Sequence, residues 1–293
     1  MPRDILVGLI GANIQNSLSP ALFADVCDAA GLRGHYHLMD VDRLPGRGLE
    51  DLLGAARVAG FAGVNVTYPF KEAVPKLLDE VSDEARQIGA VNTVTIGRDG
   101  ATRGYNTDRT GFRRSFEATL GREAVAGRTA LLVGAGGAGR AVAFALFDLG
   151  VQTLLVGDKN EAQAAGLVAA LTDQFGSGRC RVERDAASAL AGVAGAVNAT
   201  PVGMTGIPGL PISPDAIEAR HWVVDVIYSP LETDLLKAAR ARGARVMGGA
   251  GMCVHQAAEA YRLFIGVTPD IGRLHAAFAQ AAALRDRAPA AAD

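Results

Sequence analysis

Short apolar runs alternate with amphipathic segments along most of this chain. Glycine, proline or polar residues bound the runs, as they usually bound strands, and the segments between them carry apolar residues at helical spacing. Ile5–Ile10 is the first predicted strand. The next predicted element is a helix with Ser19 as its N-cap, Pro20 at its first position and Gly31 at its end. Such an alternation predicts an α/β architecture.

The same pattern continues to about residue 109. Gly97-Arg-Asp-Gly100, between two β-type runs, is a hairpin signal. The further predicted strands are His35–Asp40, Val64–Thr67, Ala90–Ile96 and Thr102–Tyr105. The further predicted helices are Leu49–Ala59, Phe70–Leu78 and Asp83–Ile88.

A second α/β run follows the predicted helix Thr110–Leu120 and a break at Gly121–Gly127. Its predicted strands are Thr129–Val133, Gln152–Val156, Ala196–Asn198, Trp222–Val226 and Arg245–Met247. Its predicted helices are Gly137–Leu149, Glu161–Phe175 and Thr233–Arg242. This order indicates a parallel, doubly wound sheet.

No strand is predicted after Gly251. Met252–Phe264 and Asp270–Arg285 have helical patterns, and we expect these two helices to close the first domain. The predicted domains are therefore residues 1–109 together with 253–293, and residues 110–252.

Composition excludes several classes of protein. The chain has 293 residues, enough for two domains, and a net charge of −2, without the excess of Lys and Arg typical of nucleic-acid binders. No apolar run approaches the roughly 20 residues that cross a membrane, and the first residues show no signal-peptide pattern. Cys27, Cys180 and Cys253 are scattered, which favours free thiols in a reducing compartment. We expect a cytoplasmic protein with no nucleic-acid or membrane partner.

A glycine-rich segment lies between a β-type run and a helix of small apolar residues. In that context Gly134 permits a tight turn, Gly136 lets the backbone approach a pyrophosphate, and Gly139 packs the helix against the strand. The helix N-terminus supplies N–H groups and partial positive charge. The segment therefore predicts dinucleotide binding by a Rossmann-type domain. The predicted binding residues are Gly134, Ala135, Gly136, Gly137, Ala138 and Gly139.

Asp158 ends the next predicted strand, 19 residues after Gly139. A carboxylate at this place accepts hydrogen bonds from the ribose hydroxyls of NAD and repels the 2′-phosphate of NADP. Lys159 beside it is a cation that could partly accept a phosphate, and it is counted among the cofactor-binding residues. We predict NAD as the cofactor in preference to NADP.

Polar side chains are dense at the strand ends of the first domain. The segments are Ser17-Leu-Ser19, Asn65-Val-Thr-Tyr-Pro-Phe-Lys71, Asn92-Thr93 and Asn106-Thr-Asp108. Ligands of open α/β sheets bind beyond the carboxyl ends of the strands. We therefore expect these side chains to converge on a small-molecule site.

The sequence lacks the motifs of several other common enzyme classes. The patterns HExxH, GxSxG and GxxxxGK[ST] do not occur, which argues against a metalloprotease, an α/β-hydrolase and a P-loop enzyme. His35 and His37 alternate on one strand and lack a third ligand at metal spacing, so no metal site is predicted. Trp222 opens a predicted core strand and is interpreted as a packing residue.

Taken together, these segments resemble the shikimate/quinate dehydrogenase family, from Gly8 to about Phe278. The matching segments, in order, are Asn16-Ser-Leu-Ser-Pro20, Asn65-Val-Thr-Tyr-Pro-Phe-Lys71, Gly89-Ala-Val-Asn-Thr93, Gly104-Tyr-Asn-Thr-Asp108 with Gly111-Phe112, Gly134-Ala-Gly-Gly-Ala-Gly139, Asn198-Ala-Thr-Pro201 with Gly203-Met204, Asp225-Val-Ile-Tyr228 with Pro230 and Thr233, and Gly251-Met252 with Gln256. The resemblance implies reversible, NAD(P)-dependent oxidation of shikimate to 3-dehydroshikimate. It also implies an N-terminal α/β substrate domain closed by the C-terminal helices, and a Rossmann-type doubly wound dinucleotide domain.

The resemblance assigns roles to individual residues. Lys71 and Asp108 would form the catalytic acid–base pair, and Ser17 and Ser19 would hold the substrate carboxylate. The other substrate-binding residues would be Thr67, Asn92, Tyr228 and Gln256, and the other cofactor-binding residues Asn198, Thr200, Val226, Gly249 and Met252. The pair makes chemical sense, because oxidising a carbinol removes a proton from oxygen, and a lysine amine can take that proton.

The chain departs from the family pattern in one segment and at one further residue, and a retained serine bears on the choice of substrate. Members that use NADP usually carry Asn-Arg-Thr where this chain has Asp158-Lys-Asn160, which favours the branch that prefers NAD. Asn16 stands where a histidine is common, and Ser19 is kept where some quinate-using members have threonine. We expect shikimate as the main substrate, quinate as a second substrate, and an amino-substituted shikimate as a third alternative.

Two other functions stay open at this point. The chain could be a catalytically inactive NAD-sensing module, although the intact pair of Lys71 and Asp108 argues against it. A folate-type methylene dehydrogenase has a similar two-domain plan, but it would leave unexplained Ser17 and Ser19, which suit a carboxylate. The sequence leaves both a monomer and a homodimer open.

Overall fold

The computed structural model describes residues 4–287, and the outermost residues of the predicted first domain, 1–3 and 288–293, lie outside them. The strands are β1 (Asp4–Gly11), β2 (Arg33–Asp40), β3 (Gly63–Val66), β4 (Glu80–Val81), β5 (Thr93–Ile96), β6 (Thr102–Tyr105), β7 (Thr129–Val133), β8 (Thr153–Gly157), β9 (Cys180–Val182), β10 (Gly195–Asn198), β11 (Trp222–Asp225) and β12 (Arg245–Met247). The α-helices are α1 (Ser19–Ala29), α2 (Leu49–Val58), α3 (Asp83–Ile88), α4 (Asp108–Leu120), α5 (Gly137–Asp148), α6 (Glu161–Phe175), α7 (Ala186–Ala189), α8 (Asp234–Ala241), α9 (Ala250–Ile265) and α10 (Ile271–Arg287).

These elements form two compact units. Unit 1 contains residues 4–107 and 254–287, and unit 2 contains Asp108–Cys253. Each unit has its own six-stranded sheet. The predicted α/β class with two domains is therefore confirmed.

The sheet of unit 1 is mixed, with strand order β2-β1-β3-β5-β6-β4. β1 pairs in parallel with β2 and β3, whereas β5 runs antiparallel to β3 and to β6. The antiparallel pairing of β5 with β6 confirms the hairpin predicted at Gly97–Gly100. The core between the sheet and α2 is apolar and includes Ile10, Leu53 and Val64.

The C-terminal helices pack on the first part of unit 1, as predicted. α10 packs against α1, and Arg273 forms an ion pair with Asp25, with Nε 2.8 Å from Oδ2. On α9, the Tyr261 hydroxyl donates to the carbonyl of Ser19 at 3.0 Å, and its ring lies edge-on to Phe23. The last two helices thus complete the unit that contains the chain's first strands.

Two local predictions in unit 1 are wrong. Ser19 does not cap α1; Leu18 already has helical backbone angles, φ −85° and ψ −7°, so the helix begins before Ser19 can act as a cap. The predicted helix Phe70–Leu78 is reduced to a single 3-10 turn at Val74–Leu77. Pro75 has no N–H to donate to Lys71, and the Lys71 carbonyl instead accepts the N–H of Val91 at 2.8 Å.

Unit 2 has a fully parallel sheet in the order β12-β11-β10-β7-β8-β9. This is the doubly wound order of a dinucleotide-binding fold, in which β8 and β9 lie on one side of β7 and β10, β11 and β12 lie on the other. β9 is an edge strand that the sequence pattern did not predict. Trp222 is buried, as the packing interpretation requires, and its indole N–H donates to the carbonyl of Ala124 at 3.0 Å.

Among residues 4–287, no helix is long and apolar enough to cross a membrane. The same residues contain no group of three or more His, Cys, Asp or Glu side chains that could hold a metal ion.

Candidate active site

The two predicted carboxylate-binding serines lie together where β1 leads into α1. The backbone N–H of Ser17 donates to the carbonyl of Ile14 at 2.9 Å, and that of Ser19 donates to the Ser17 hydroxyl at 3.3 Å. Both serines are half-buried. Hydroxyl groups at the start of a helix suit an anion, because the helix end adds partial positive charge.

Two of the predicted substrate-binding amides, Asn92 and Gln256, are joined through a hydroxyl. The Asn92 side-chain amide donates to Thr107 Oγ1 at 2.9 Å, and Thr107 Oγ1 lies 3.4 Å from Gln256 Oε1, to which it can donate. The backbone N–H of Thr107 also donates to Asn92 Oδ1, at 2.8 Å. Asn92 and Thr107 are buried, so this arrangement holds both amides in one orientation.

The same hydrogen-bond chain continues beneath Asn92. The hydroxyl of Tyr36 donates to Asn65 Oδ1 at 2.9 Å, and the Asn65 amide donates to Thr93 Oγ1 at 3.0 Å. Thr93 Oγ1 then donates to Asn92 Oδ1 at 3.0 Å. Sequence reasoning placed Asn65 and Thr93 in polar segments without giving them a role, and it missed Tyr36, whose side chain lies on a strand with no local signal of a polar partner.

Thr67 and Lys71 flank the Tyr68–Pro69 segment after β3. The backbone N–H of Thr67 donates to the carbonyl of Ile10 at 2.9 Å, at the end of β1. Thr67 and Lys71 are both half-buried. The structure therefore brings Thr67 to the strand end that precedes the two serines.

Asp108, the other member of the predicted catalytic pair, is the first residue of α4 and is buried. It belongs to unit 2, and Lys71 to unit 1, so their pairing stays a prediction. The next residue, Arg109, forms a bidentate pair with Asp148 on α5, with N–O distances of 2.6 and 2.7 Å. The guanidinium also lies over the ring of Phe144, 5.4 Å from its centre. These contacts tie the first turn of α4 to α5.

The glycine loop has the close approaches that its sequence predicts. Gly134 has a φ of +107°, and a Cβ there would come within 2.7 Å of the backbone of Ala199. A Cβ at Gly139 would collide with the carbonyl of Gly134. Gly136 is the N-cap of α5, and no side chain among the described residues caps this helix. The first N–H groups of α5 therefore suit the pyrophosphate of a dinucleotide.

Asp158 lies directly beside this loop. One oxygen of its carboxylate accepts the N–H of Ala135 at 2.7 Å, and the other accepts the N–H of Asn160 at 2.8 Å. Asp158 is half-buried and Lys159 is exposed. A carboxylate at the end of β8, next to the glycine loop, fits the ribose of NAD.

A buried polar network links the ends of β10 and β11. The Asn198 amide donates to Asp225 Oδ1 at 3.0 Å, and the Thr233 hydroxyl donates to Asp225 Oδ2 at 2.8 Å. The N–H of Ile227 donates to Asp225 as well, at 3.1 Å. Burial raises the pKa of Asp225, although these three hydrogen bonds lower it. Asp225 was part of a matching segment but not of the predicted site.

The remaining predicted cofactor residues surround this network. Thr200 donates both its N–H and its hydroxyl to Asn198 Oδ1, at 2.9 and 2.7 Å. The N–H of Val226 donates to the carbonyl of Asn198 at 3.0 Å. The N–H of Gly249 donates to the carbonyl of Ile227 at 3.1 Å. Tyr228 is half-buried just after β11, and Met252 is buried in the first turn of α9.

Known proteins resemble this chain over nearly its whole length. The family model described as the shikimate dehydrogenase substrate binding domain matches residues 9–94. A quinate/shikimate dehydrogenase (NAD+) of Corynebacterium efficiens is 46% identical over 279 residues, which cover 94% of this chain and 98% of the relative. A shikimate dehydrogenase (NADP+) of Streptomyces avermitilis is 45% identical over 282 residues, which cover 94% of this chain and 96% of the relative.

Solved structures give the same result. A quinate dehydrogenase from Corynebacterium glutamicum in complex with NAD has a TM-score of 0.87 and 42% identity, covering 95% of this chain and 100% of that one. A shikimate 5-dehydrogenase from Thermus thermophilus in complex with NADP(H) and shikimate has a TM-score of 0.81 and 36% identity, covering 94% and 99%. The resemblance seen in the sequence motifs is confirmed, and the chain belongs to the shikimate/quinate dehydrogenase family.

Proposed function

We propose that this protein catalyses the reversible NAD(P)-dependent oxidation of shikimate to 3-dehydroshikimate, with NAD preferred and quinate as a second substrate. Relatives named quinate/shikimate dehydrogenase (NAD+) support both the reaction and the cofactor. Within this chain the observation that carries the proposal is the carboxylate of Asp158 beside the glycine loop, 2.7 Å from the N–H of Ala135. A negative charge there favours the ribose hydroxyls of NAD and disfavours the 2′-phosphate of NADP.

In this proposal the two units bind different ligands. Unit 1 binds the substrate, with Ser17 and Ser19 holding its carboxylate by their hydroxyls. The amides of Asn92 and Gln256, oriented through Thr107, donate to hydroxyl oxygens on the ring. Thr67 and Tyr228 complete the substrate contacts. Unit 2 binds the dinucleotide at the glycine loop, at Asp158 and at the network around Asn198.

Lys71 and Asp108 carry out the proton transfer in this proposal. NAD, when bound, accepts the hydride that leaves the carbinol carbon. The Lys71 amine takes the proton from the carbinol oxygen during oxidation, and its ammonium returns the proton to the carbonyl oxygen during reduction. Asp108 accepts a hydrogen bond from the reacting group and orients Lys71.

The setting proposed for this activity is the cytoplasm. Cys27, Cys180 and Cys253 are buried and form no disulfide among the described residues, which suits a reducing compartment. The proposed partners are small molecules. The protein is a monomer or a homodimer, and sedimentation velocity distinguishes the two.

A two-by-two kinetic comparison tests the proposal. Shikimate and quinate are each assayed with NAD and with NADP, and the formation of reduced cofactor is followed by absorbance. Among the four combinations of substrate and cofactor, we expect the highest kcat/KM with shikimate and NAD. A higher kcat/KM with NADP would contradict the argument from Asp158. No turnover with shikimate, quinate or aminoshikimate would contradict the enzymatic proposal and favour an NAD-sensing module.

A further inference from the structure

Asp40 ends β2 and is almost completely buried, with 2% of its surface exposed. None of the hydrogen-bond partners that the structure gives Asp40 is a cation. Its carboxylate instead accepts hydrogen bonds from the segment of residues 13–15, which connects β1 to the two serines. A buried carboxylate is costly unless hydrogen bonds satisfy it, so this arrangement needs a reason.

Four donors converge on the Asp40 carboxylate. Oδ1 accepts the backbone N–H groups of Asn13 and Asp42, both at 3.2 Å. Oδ2 accepts the N–H of Ile14 at 3.2 Å and the side-chain amide of Gln15 at 2.9 Å. Burial alone would raise the pKa of Asp40, but these four hydrogen bonds lower it below its ordinary value of 3.8. The group is therefore an anion at neutral pH.

The segment held in this way has an unusual backbone. Asn13 has a φ of +53°, in the left-handed region that residues other than glycine seldom adopt. Its N–H is shared between Asp40 and Asp42, whose Oδ2 lies 2.9 Å away. The two carboxylates thus help to hold Asn13 in this left-handed conformation, which asparagine adopts more readily than most other residues with a side chain.

A short hydrogen-bonded path leads from Asp40 to the serines. The carbonyl of Ile14 accepts the N–H of Ser17 at 2.9 Å, and the Ser17 hydroxyl accepts the N–H of Ser19 at 3.3 Å. Ile14 therefore connects Asp40, through its N–H, to Ser17, through its carbonyl. On the other side of the segment, the N–H of Ala12 donates to the carbonyl of Tyr68 at 2.9 Å.

We propose that Asp40 is a positioning residue that holds the serine hydroxyls in the geometry that recognises a substrate carboxylate. The inference rests on the proposed function, in which Ser17 and Ser19 bind that carboxylate. Asp40 does not touch the substrate; it acts through Ile14 and the turn that follows. Its loss therefore weakens the recognition of the carboxylate and leaves the rest of the substrate site and the cofactor site intact.

The experiment pairs Asp40→Asn with two ligands, shikimate and its methyl ester, which lacks the carboxylate charge. The asparagine keeps the size of the side chain but turns an N–H₂ group towards two of its four donors. We expect the KM and the calorimetric Kd for shikimate to rise about tenfold, and those for the methyl ester to change less than about twofold. The kcat with shikimate and the KM for NAD should stay within about threefold.

Asp79→Asn is the matched control. Asp79 also accepts a backbone N–H in unit 1, that of Thr102 at 2.8 Å, but it anchors β6 and not the serine segment. This variant should leave the ratio of the two dissociation constants unchanged. If Asp40→Asn does not fold by circular dichroism, Gln15→Ala removes a single donor to the same carboxylate and should give a smaller effect with the same selectivity.

The outcomes separate the inference from the proposed function. If a folded Asp40 variant weakens both ligands by the same factor, or weakens neither, Asp40 has no positioning role. Because calorimetry measures binding without turnover, the inference can be decided even if the wild type proves inactive. If the wild type binds shikimate no better than its methyl ester, that result would contradict both the proposed carboxylate binding by the serines and the positioning role of Asp40.

Discussion

The carboxylate of Asp158 accepts the backbone N–H of Ala135 at 2.7 Å, so the end of β8 is bonded directly to the glycine loop. Asp158, which is proposed to determine the preference for NAD, therefore also stabilises the glycine loop by a hydrogen bond. In the proposed mode of binding, an aspartate at this position would place its charge near the adenosine ribose and also fix the loop that binds the pyrophosphate.

Asp158→Asn separates these two roles. Asparagine can still accept the N–H of Ala135 through its carbonyl oxygen, although it loses the hydrogen bond from the N–H of Asn160, and it no longer repels a phosphate. We expect kcat/KM for NAD to fall and that for NADP to rise, with the NAD-to-NADP ratio reduced roughly 10- to 100-fold. Steady-state kinetics with both cofactors at saturating shikimate measures the ratio. The exposed Glu161→Gln, on the next helix, is the control and should leave it unchanged. A ratio that also stays constant in Asp158→Asn would show that another residue selects the cofactor.

Lys71→Ala tests the proton transfer. Removing the amine should lower kcat about 1000-fold, while the KM for shikimate changes less than about tenfold, because a residue that acts in the transition state contributes little to ground-state binding. Asp108→Asn should have a similar effect.

Lys76→Ala, in the neighbouring 3-10 turn, serves as the control for Lys71. Lys76 is exposed, so its removal should leave kcat within about twofold of the wild type. A Lys71→Ala protein with near-normal kcat would exclude Lys71 as the proton carrier.

The parts of the fold that the sequence predicted well are those specified by neighbours along the chain. β7, the glycine loop and α5 form one continuous strand–turn–helix signal, and the glycines are required by approaches as close as that of Gly134 to Ala199. The helix predicted at Phe70–Leu78 is wrong for two reasons. Pro75 has no N–H to donate to the carbonyl of Lys71, and that carbonyl accepts instead from the distant Val91, a bond that no local pattern reveals.

The site residues also divide into those that local sequence predicts and those that only the fold reveals. Ser17 and Asn92 could be predicted because they belong to recognisable polar segments at strand ends. Asp40 and Tyr36 could not, because each lies in a strand and its hydrogen bonds to Gln15 and Asn65 span 25 and 29 positions of the chain. Asp225 follows an apolar strand, and only the fold shows that Asn198 and Thr233 meet there to satisfy it.

Asp225 should make the stability of unit 2 depend on pH. Because folding raises the pKa of this carboxyl above its ordinary value of 3.8, the folded chain binds the proton more tightly than the unfolded chain. The stability from this group is present at low pH and is lost as the pH rises above 3.8. Relative to Asp225→Asn, the wild type should therefore lose free energy of unfolding as the pH rises from about 4.

Urea unfolding followed by the fluorescence of Trp222, the single tryptophan, reports on this unit. Asp225→Ala is the second variant; it leaves Asn198 and Thr233 without their acceptor and should cost roughly 2–4 kcal/mol at acidic pH, and less as the pH rises. A stability difference between wild type and Asp225→Asn that does not change with pH would contradict the raised pKa.

The hydrogen-bond chain from Tyr36 to Gln256 gives the last prediction. Thr93→Val keeps the shape of the side chain but removes the hydroxyl that accepts from Asn65 and donates to Asn92. Both amides would lose a buried partner, which should lower the free energy of unfolding by about 1–3 kcal/mol. Asn92 would keep its hydrogen bonds with Thr107, but its orientation would be less fixed, so kcat/KM for shikimate should fall roughly tenfold.

Thr95→Val is the matched control on the same strand. The hydroxyl of Thr95 makes a single weak hydrogen bond, 3.4 Å to the carbonyl of Arg103, and its residue is only half-buried. The same substitution there should change the free energy of unfolding by less than about 0.5 kcal/mol and leave kcat/KM unaltered. Thermal unfolding and steady-state kinetics of both variants decide the matter. Equal losses in the two proteins would show that valine disturbs the strand itself, whereas a loss confined to Thr93→Val would show that the chain orients the amides that meet the substrate.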